Sequence, residues 1–240
     1  MKVNTNKRTM GQLYGVGVGP GDPELITLKA QRVLSQVSVI FVPQKDTGHQ
    51  SYARSIISGL LGSPTQKVVE LVFPMQKSAL EPYWEKAAEE IWRHLAQGKD
   101  CAFVTEGDPL FYGTFVYILS IFQERYPEVA IEVIPGISSV NAAAARAMLP
   151  LSSGGERVAI ISATYQDRAL RETLESFDTV VLLKVNTVFD RILDVLEEMK
   201  LTDKCVYVKR CTTKDEEIVR DIRELKGRNL DYFSLLIVRR

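Results

Sequence analysis

Short uninterrupted apolar runs alternate along the chain with stretches in which apolar residues recur every three or four positions, a pattern that predicts strands followed by helices. "LYGVGVG", from Leu13, is a strand ending in glycine. The helix predicted over "LITLKAQRVLSQV" places Leu25, Leu28, Val33 and Val37 on one face, and "SVIFVP" is a second strand. Strand, helix, strand implies a parallel crossover. Further on, "YWEKAAEEIWRHLAQG" is an amphipathic helix stopped by Gly98, "DCAFVTEGDP" a strand running into a turn, and "FVYILSIFQERYP" another helix. "AIEVIPG" is a strand closed by Pro and Gly, and "SSVNAAAARAMLP" a small-residue helix ended by Pro150.

The stretch "LPLSSGGERV" is rich in Ser, Gly and Pro and marks a change of lobe, so the expected division is residues 1–152 and a smaller 153–240. Beyond it come "RVAIISA", a long segment of mixed polarity, "TVVLLKV", a helix over "VFDRILDVLEEMK", then "KCVYVKRC", "EEIVRDIREL" and "YFSLLIVRR". The expected fold is α/β with two lobes, and the expected ligand site is the interlobe cleft with the loops at the carboxyl ends of the strands.

Composition narrows the function classes. The 240 residues are 45% hydrophobic, enough for an ordinary core, and 30 basic residues balance 30 acidic ones. No overall field draws this chain to nucleic acid or an anionic membrane, so an anionic ligand must be caught by a local pocket. No apolar run approaches the ~20 residues of a membrane span, and "MKVNTNKRTMGQ" lacks a signal peptide's apolar stretch, so a cytoplasmic location is expected. The three cysteines lack C-x-x-C spacing and read as reduced core residues; His49 and His94, the only histidines, suggest neither metal nor triad. His94 is expected on an exposed helix face.

Three turns carry the candidate chemistry. In the first, Gly15, Gly17, Gly19 and Gly21 keep a spacing of two that never yields G-x-G-x-x-G, and Asp22-Pro23 stands where a phosphate loop needs Lys and Ser or Thr. Asp22 suits a helix N-cap with Pro23 at the first helical position, and an acidic cap disfavours phosphate. Taken alone, the glycines serve close packing of strand and helix. The second turn, "VTEGDPLFYGTF", holds Gly107, Asp108 and Pro109, with Gly113 opening the next helix; the third, "VIPGISSVNAAAA", sets Ser138 and Ser139 at a helix start, where Ser ordinarily caps. All three follow strands of one lobe and should cluster on one edge of a parallel sheet.

Together, "GVGVGPGDPELITLKAQRVL", "VTEGDPLFYG" and "VIPGISSVNAAAA", with "VVLLKV" and the closing "YFSLLIV", resemble the tetrapyrrole methylase family over nearly the whole chain. Within it the chain is most similar to the precorrin-2 C20-methyltransferases of vitamin B12 biosynthesis; it lacks the basic residue before G-D-P and the "GRGGEE"-like stretch of the uroporphyrinogen methylases. Diphthine synthase, which methylates a protein side chain, shares the fold and two of the turns more distantly. The resemblance implies S-adenosylmethionine as methyl donor, a reduced tetrapyrrole (metal-free or cobalt-chelated) as substrate, and a homodimer. It assigns the donor to the backbone at Gly107 and Asp108, to Ser138 and Ser139, and to the second lobe near Lys184 and Leu236, with Pro20 and Tyr112 beside them. A sulfonium next to an amino-acid carboxylate wants carbonyls, hydroxyls and a carboxylate at short range, which tight turns present.

Methylation at a ring carbon also requires that carbon's proton to leave. Asp108 and then Tyr112 are the expected bases, because both project from the second turn, although Asp108 reads equally as a structural turn residue. The substrate's eight carboxylates call for basic groups, for which Lys45, His49 and Arg54 are the candidates and solvated surface charge the plain alternative. A non-enzymatic module binding a nucleotide-like ligand is the competing class.

Overall fold

A computed structural model describes residues 10–45, 51–61, 66–74, 80–163 and 167–240. The chain divides into two compact units, Met1–Ser138 and Ser139–Arg240, each built on one five-stranded sheet. The first unit runs β1 (Leu13–Gly17), α1 (Leu28–Gln36), β2 (Val39–Gln44), α2 (Tyr52–Ile57), β3 (Lys67–Val72), α3 (Glu81–Leu95), β4 (Cys101–Thr105), α4 (Phe115–Arg125) and β5 (Ile131–Ile134). Its order is β3-β2-β4-β1-β5, every pair parallel. The carboxyl ends of β4, β1 and β5 therefore stand side by side, as expected for the three turns.

Both faces of this sheet are covered, which is why its strands read as continuous apolar runs. Leu13, Phe41 and Phe103 pack with Ile91 and Leu95 of α3 and with Phe115, Ile118 and Phe122 of α4 on one side. Val16, Ile40, Val42 and Val104 pack with Leu34 of α1 and Ile57 of α2 on the other. Burying each such side chain contributes about 1.5–3 kcal/mol.

Two sequence expectations are corrected here. Asp22 does cap, accepting from the Glu24 N–H at 2.9 Å, but it caps a separate 3-10 turn, Pro23–Leu25. The α-helix starts afresh at Leu28 behind Thr27, whose hydroxyl accepts from Ala30 N–H, so its buried face is Ala30, Val33 and Leu34 and Leu28 is 85% exposed. His94 is buried, not exposed: it lies edge-on to Phe41, and burial pushes its pKa below the usual histidine value.

The second unit runs α5 (Ser139–Arg146), β6 (Val158–Ser162), α6 (Asp167–Ser176), β7 (Thr179–Leu183), α7 (Phe189–Glu198), β8 (Cys205–Lys209), β9 (Glu217–Val219) and β10 (Ser234–Arg239). Its order is β6-β7-β10-β8-β9, with β6 and β7 parallel and the remaining pairs antiparallel. The units divide after Ser138 and not at 152/153, because the segment following α5 is tied to the second sheet. Arg146 pairs with Glu216 at 2.7 Å, and Arg220 and Arg239 donate to the carbonyls of Ala147 and Pro150. Cys101, Cys205 and Cys211 are buried, and desolvation pushes each thiol up to about 12, which leaves them as core groups.

Candidate active site at the carboxyl edge of the first sheet

The three turns meet backbone to backbone. Past the end of β1, Val18 N–H donates to the Thr105 carbonyl at 3.0 Å, and Gly19 and Gly107 exchange hydrogen bonds of 3.3 and 2.8 Å. Side chains are excluded where the turns touch: a Cβ on Gly136 would lie 2.1 Å from the Gly107 oxygen, and one on Gly17 would lie 2.6 Å from that oxygen and from the Gly136 nitrogen. Gly15, on the same face of β1 as Gly17, leaves the space that the Phe115 ring fills. The spacing of two thus records close packing along one strand face, and it explains why no phosphate-loop pattern appears.

Asp108 locks the second turn to the third. One carboxylate oxygen accepts from Leu110 N–H at 2.9 Å and the other from Gly136 N–H at 3.0 Å. Charge-assisted bonds of this kind are the stronger class of hydrogen bond. With both oxygens so engaged, the side chain acts first as a clamp. Tyr112 has a positive φ of 56° and is 48% exposed beyond the turn.

Two neighbours carry polarity that the sequence reading passed over. Thr105 ends β4 with its hydroxyl buried and without a hydrogen-bond partner among the described residues. Glu106 follows it, half-buried; desolvation, opposed by the main chain of its own residue and of Ala53 in the first turn of α2, pushes its pKa above the usual carboxylate range. The signal available in the sequence was alternation along β4, which sends Glu106 to the face of Ala102 and Val104.

The remaining candidates are distributed as follows. Pro20 is buried, and its carbonyl accepts from the Tyr52 hydroxyl of α2 at 3.1 Å. Lys45 is exposed directly after β2, and Arg54 on α2 is ion-paired with Glu70. His49 lies outside the described residues. Ser138 is half-buried at the end of the first unit and Ser139 is the first residue of α5. In the second unit, Lys184 takes a left-handed conformation with φ 60° at the carboxyl end of β7. Leu236 is fully buried in β10, between β7 and β8. The first unit therefore brings together Gly107, Asp108 and the glycines of the first and third turns. A donor rich in polar groups fits this edge, where the backbones of Gly17, Gly107 and Gly136 approach without intervening side chains and the buried Thr105 hydroxyl lacks a partner among the described residues.

The sequence model for "Tetrapyrrole (Corrin/Porphyrin) Methylases" matches residues 12–226. The "Probable cobalt-precorrin-2 C(20)-methyltransferase" of Methanocaldococcus jannaschii is 38% identical, over 95% of this chain and 96% of that one. The "Precorrin-2 C(20)-methyltransferase" of Sinorhizobium sp is 32% identical, over 95% of each. Among solved structures, a uroporphyrin-III C-methyl transferase from Thermus thermophilus complexed with S-adenyl homocysteine has the same fold, with a TM-score of 0.67 at 24% identity over 95% of this chain and 97% of that one.

Proposed function

The chain belongs to the tetrapyrrole (corrin/porphyrin) methylase family, and on that premise we propose that it uses S-adenosylmethionine to methylate the C20 meso carbon of precorrin-2, or of its cobalt-chelated form, in cobalamin biosynthesis. One observation carries this reading: nearly the whole chain matches nearly the whole of two proteins named for that reaction. One of them is named for the cobalt form and the other for the metal-free form.

When bound, the donor supplies an electrophilic methyl group on a sulfonium sulfur. The residues proposed to hold it are Gly107, Asp108, Ser138 and Ser139, with Pro20, Tyr112 and the second-unit positions Lys184 and Leu236. Asp108 contributes by fixing the amides of Leu110 and Gly136, so that the turn carbonyls are in place before the ligand arrives. Lys45, His49 and Arg54 are proposed to receive the substrate's carboxylates. The exposed Arg54–Glu70 pair is no obstacle, since such pairs are worth about 0–1 kcal/mol and exchange readily.

The protein is further proposed to act as a homodimer in the cytoplasm. Exposed Leu110 and Tyr117 give the segment around α4 the apolar surface that a second copy covers. No helix among the described residues is long and apolar enough to cross a membrane. The test is incubation of the full chain with S-adenosylmethionine and precorrin-2, with and without cobalt, read by mass. A gain of one methyl group on either tetrapyrrole supports the proposal; donor binding with no transfer to either, or transfer only to a protein, rejects it.

A further inference from the structure

We propose that the second unit carries a binding site of its own for a small monocarboxylate with an apolar body, in a cavity of about 250 Å³ beside the β8–β9 edge of its sheet. Such a site lies beyond the methyl transfer proposed above and does not depend on it. The register of the two strands builds one wall. Tyr207 and Lys209 are two apart on β8 and so share a face, and in the antiparallel pairing Glu217 of β9 stands opposite Lys209 on that same face. The segment 228–231, which leads towards β10, closes the cavity with Arg228, Asn229, Leu230 and Asp231.

Charge and hydrogen bonding decide what the cavity accepts. Lys209 Nζ and Arg228 Nη2 both reach Glu217, at 2.8 and 3.2 Å, one on each carboxylate oxygen. The other carboxylate of the wall, Asp231, is fully engaged: one oxygen accepts from Arg210 Nε at 2.7 Å and the other from Phe233 N–H at 2.8 Å. Two cations therefore share one carboxylate, and the wall can take one further negative charge. Tyr207 adds a donor. It is 1% exposed, yet its hydroxyl has no hydrogen-bond partner among the described residues. Its ring lies edge-on to Phe189, with centroids 6.2 Å apart, and its hydroxyl feels the charges of Lys209, Glu217 and Asp231, all members of the same wall. Ser234 beside it already gives its own hydroxyl to the Asp231 carbonyl at 2.6 Å. A buried donor left unpaired is costly, so a ligand oxygen that reaches it is held the more tightly.

These features select the ligand. A carboxylate brings the single charge that the wall lacks and two oxygens, one for the Tyr207 O–H and one for Lys209 and Arg228. Dianionic phosphate brings a second charge, which Glu217 and Asp231 repel. Buried Leu230 and the Tyr207 ring offer apolar contact to the rest of the ligand. The volume lies just below the ~300–1,000 Å³ of drug-sized pockets, which limits that body to about the size of one aromatic ring.

The test titrates the nitrogen-15-labelled full chain with benzoate, with benzamide as its neutral counterpart and with inorganic phosphate, and follows the backbone amides by NMR. Benzoate is expected to bind with a Kd of about 1 mM or tighter, to shift the amides of β8, β9 and residues 228–231, and to bind about ten-fold more tightly than benzamide or phosphate. Tyr207→Phe and Arg228→Gln should each weaken benzoate about ten-fold, because each removes a hydrogen-bond donor to a charged group. Glu217→Gln should tighten benzoate about three-fold, since it removes the carboxylate that competes for Lys209 and Arg228; a purely structural Glu217 would not give that sign. Circular dichroism in urea checks folding, and Tyr207→Phe, which removes only an unpartnered hydroxyl, should unfold no earlier than wild type. If Tyr207→Phe does not fold, Arg228→Gln decides, its side chain being 48% exposed: weaker benzoate binding supports the site and unchanged binding overturns it. The inference is also overturned by wild type that shows no shift at these residues with benzoate at about 20 mM, far above the expected Kd. Benzamide or phosphate bound as tightly as benzoate, or Glu217→Gln binding benzoate more weakly, overturns it as well.

Discussion

Replacing Gly136 by Ala puts the account of the turn cluster under the most severe strain. The added Cβ would sit 2.1 Å from the Gly107 oxygen and 2.8 Å from Gly17 Cα, where atoms closer than 3.0 Å must move apart. Both neighbours are main chain and cannot rotate away, so the third turn must shift by nearly an ångström. Overpacking of this kind costs about 1–3 kcal/mol. The shift also stretches the Gly136 N–H bond to Asp108, a bond to a charged group worth about 1.5–3 kcal/mol. The expected loss is about 3–5 kcal/mol, a large part of the ~5–15 kcal/mol that holds an ordinary domain together. Trp84 and Trp92 are the chain's only tryptophans and both lie in the first unit, so urea titration followed by their fluorescence reads that unit alone. Gly59→Ala is the control, since it lies in the same unit, a Cβ there meets nothing within 4 Å, and it should shift stability by no more than about 0.5 kcal/mol. A Gly136→Ala protein with the midpoint of that control would refute the packing argument.

Other changes have equally definite outcomes. Asp108→Asn turns an acceptor into a donor facing either Leu110 or Gly136 N–H; it should destabilise the first unit by about 1–3 kcal/mol in the same titration and weaken S-adenosylhomocysteine binding in calorimetry. Arg146 hydrogen-bonds to Glu216 and holds that carboxyl below its ordinary value of 4.5, so the pair's stabilisation is present above that pH and is lost as pH falls through the lower folded value. Arg146→Ala should therefore flatten the acid side of the pH–stability curve, measured by circular dichroism. Glu106 has the opposite sign: its raised folded pKa means stability grows as pH falls from that value toward 4.5, and Glu106→Gln should remove that slope. The three buried thiols should ignore Ellman's reagent in the native protein and all react in denaturant.

The turns were legible because glycine and proline at strand ends have few uses. Their clustering followed from the parallel order of β4, β1 and β5, which sequence alternation already implied. The start of α1 was misplaced because Asp22-Pro23 is a strong cap signal, and nothing local shows that the turn it caps lasts only three residues before Thr27 begins again. His94 looked exposed on a charged helix; its burial depends on Phe41, which arrives from a strand distant in sequence. The short helix α2 and strand β3 lack a strong period and take their form from the sheet that one covers and the other joins. Asp108 was read for its chemistry, but its two amide partners, one of them contributed by the third turn, became visible only with the fold. Glu106 was hidden by its position between the strand and the conspicuous G-D-P.

The most direct measurement of the central claim is the position of the transferred methyl group. The full chain is incubated with S-adenosylmethionine carrying a carbon-13 methyl group and with precorrin-2 or its cobalt form, and the product is examined by carbon NMR. The account predicts a single enriched methyl resonance, coupled to the C20 meso carbon. Label at any other ring position, or no label on either tetrapyrrole while the donor remains bound, would contradict it.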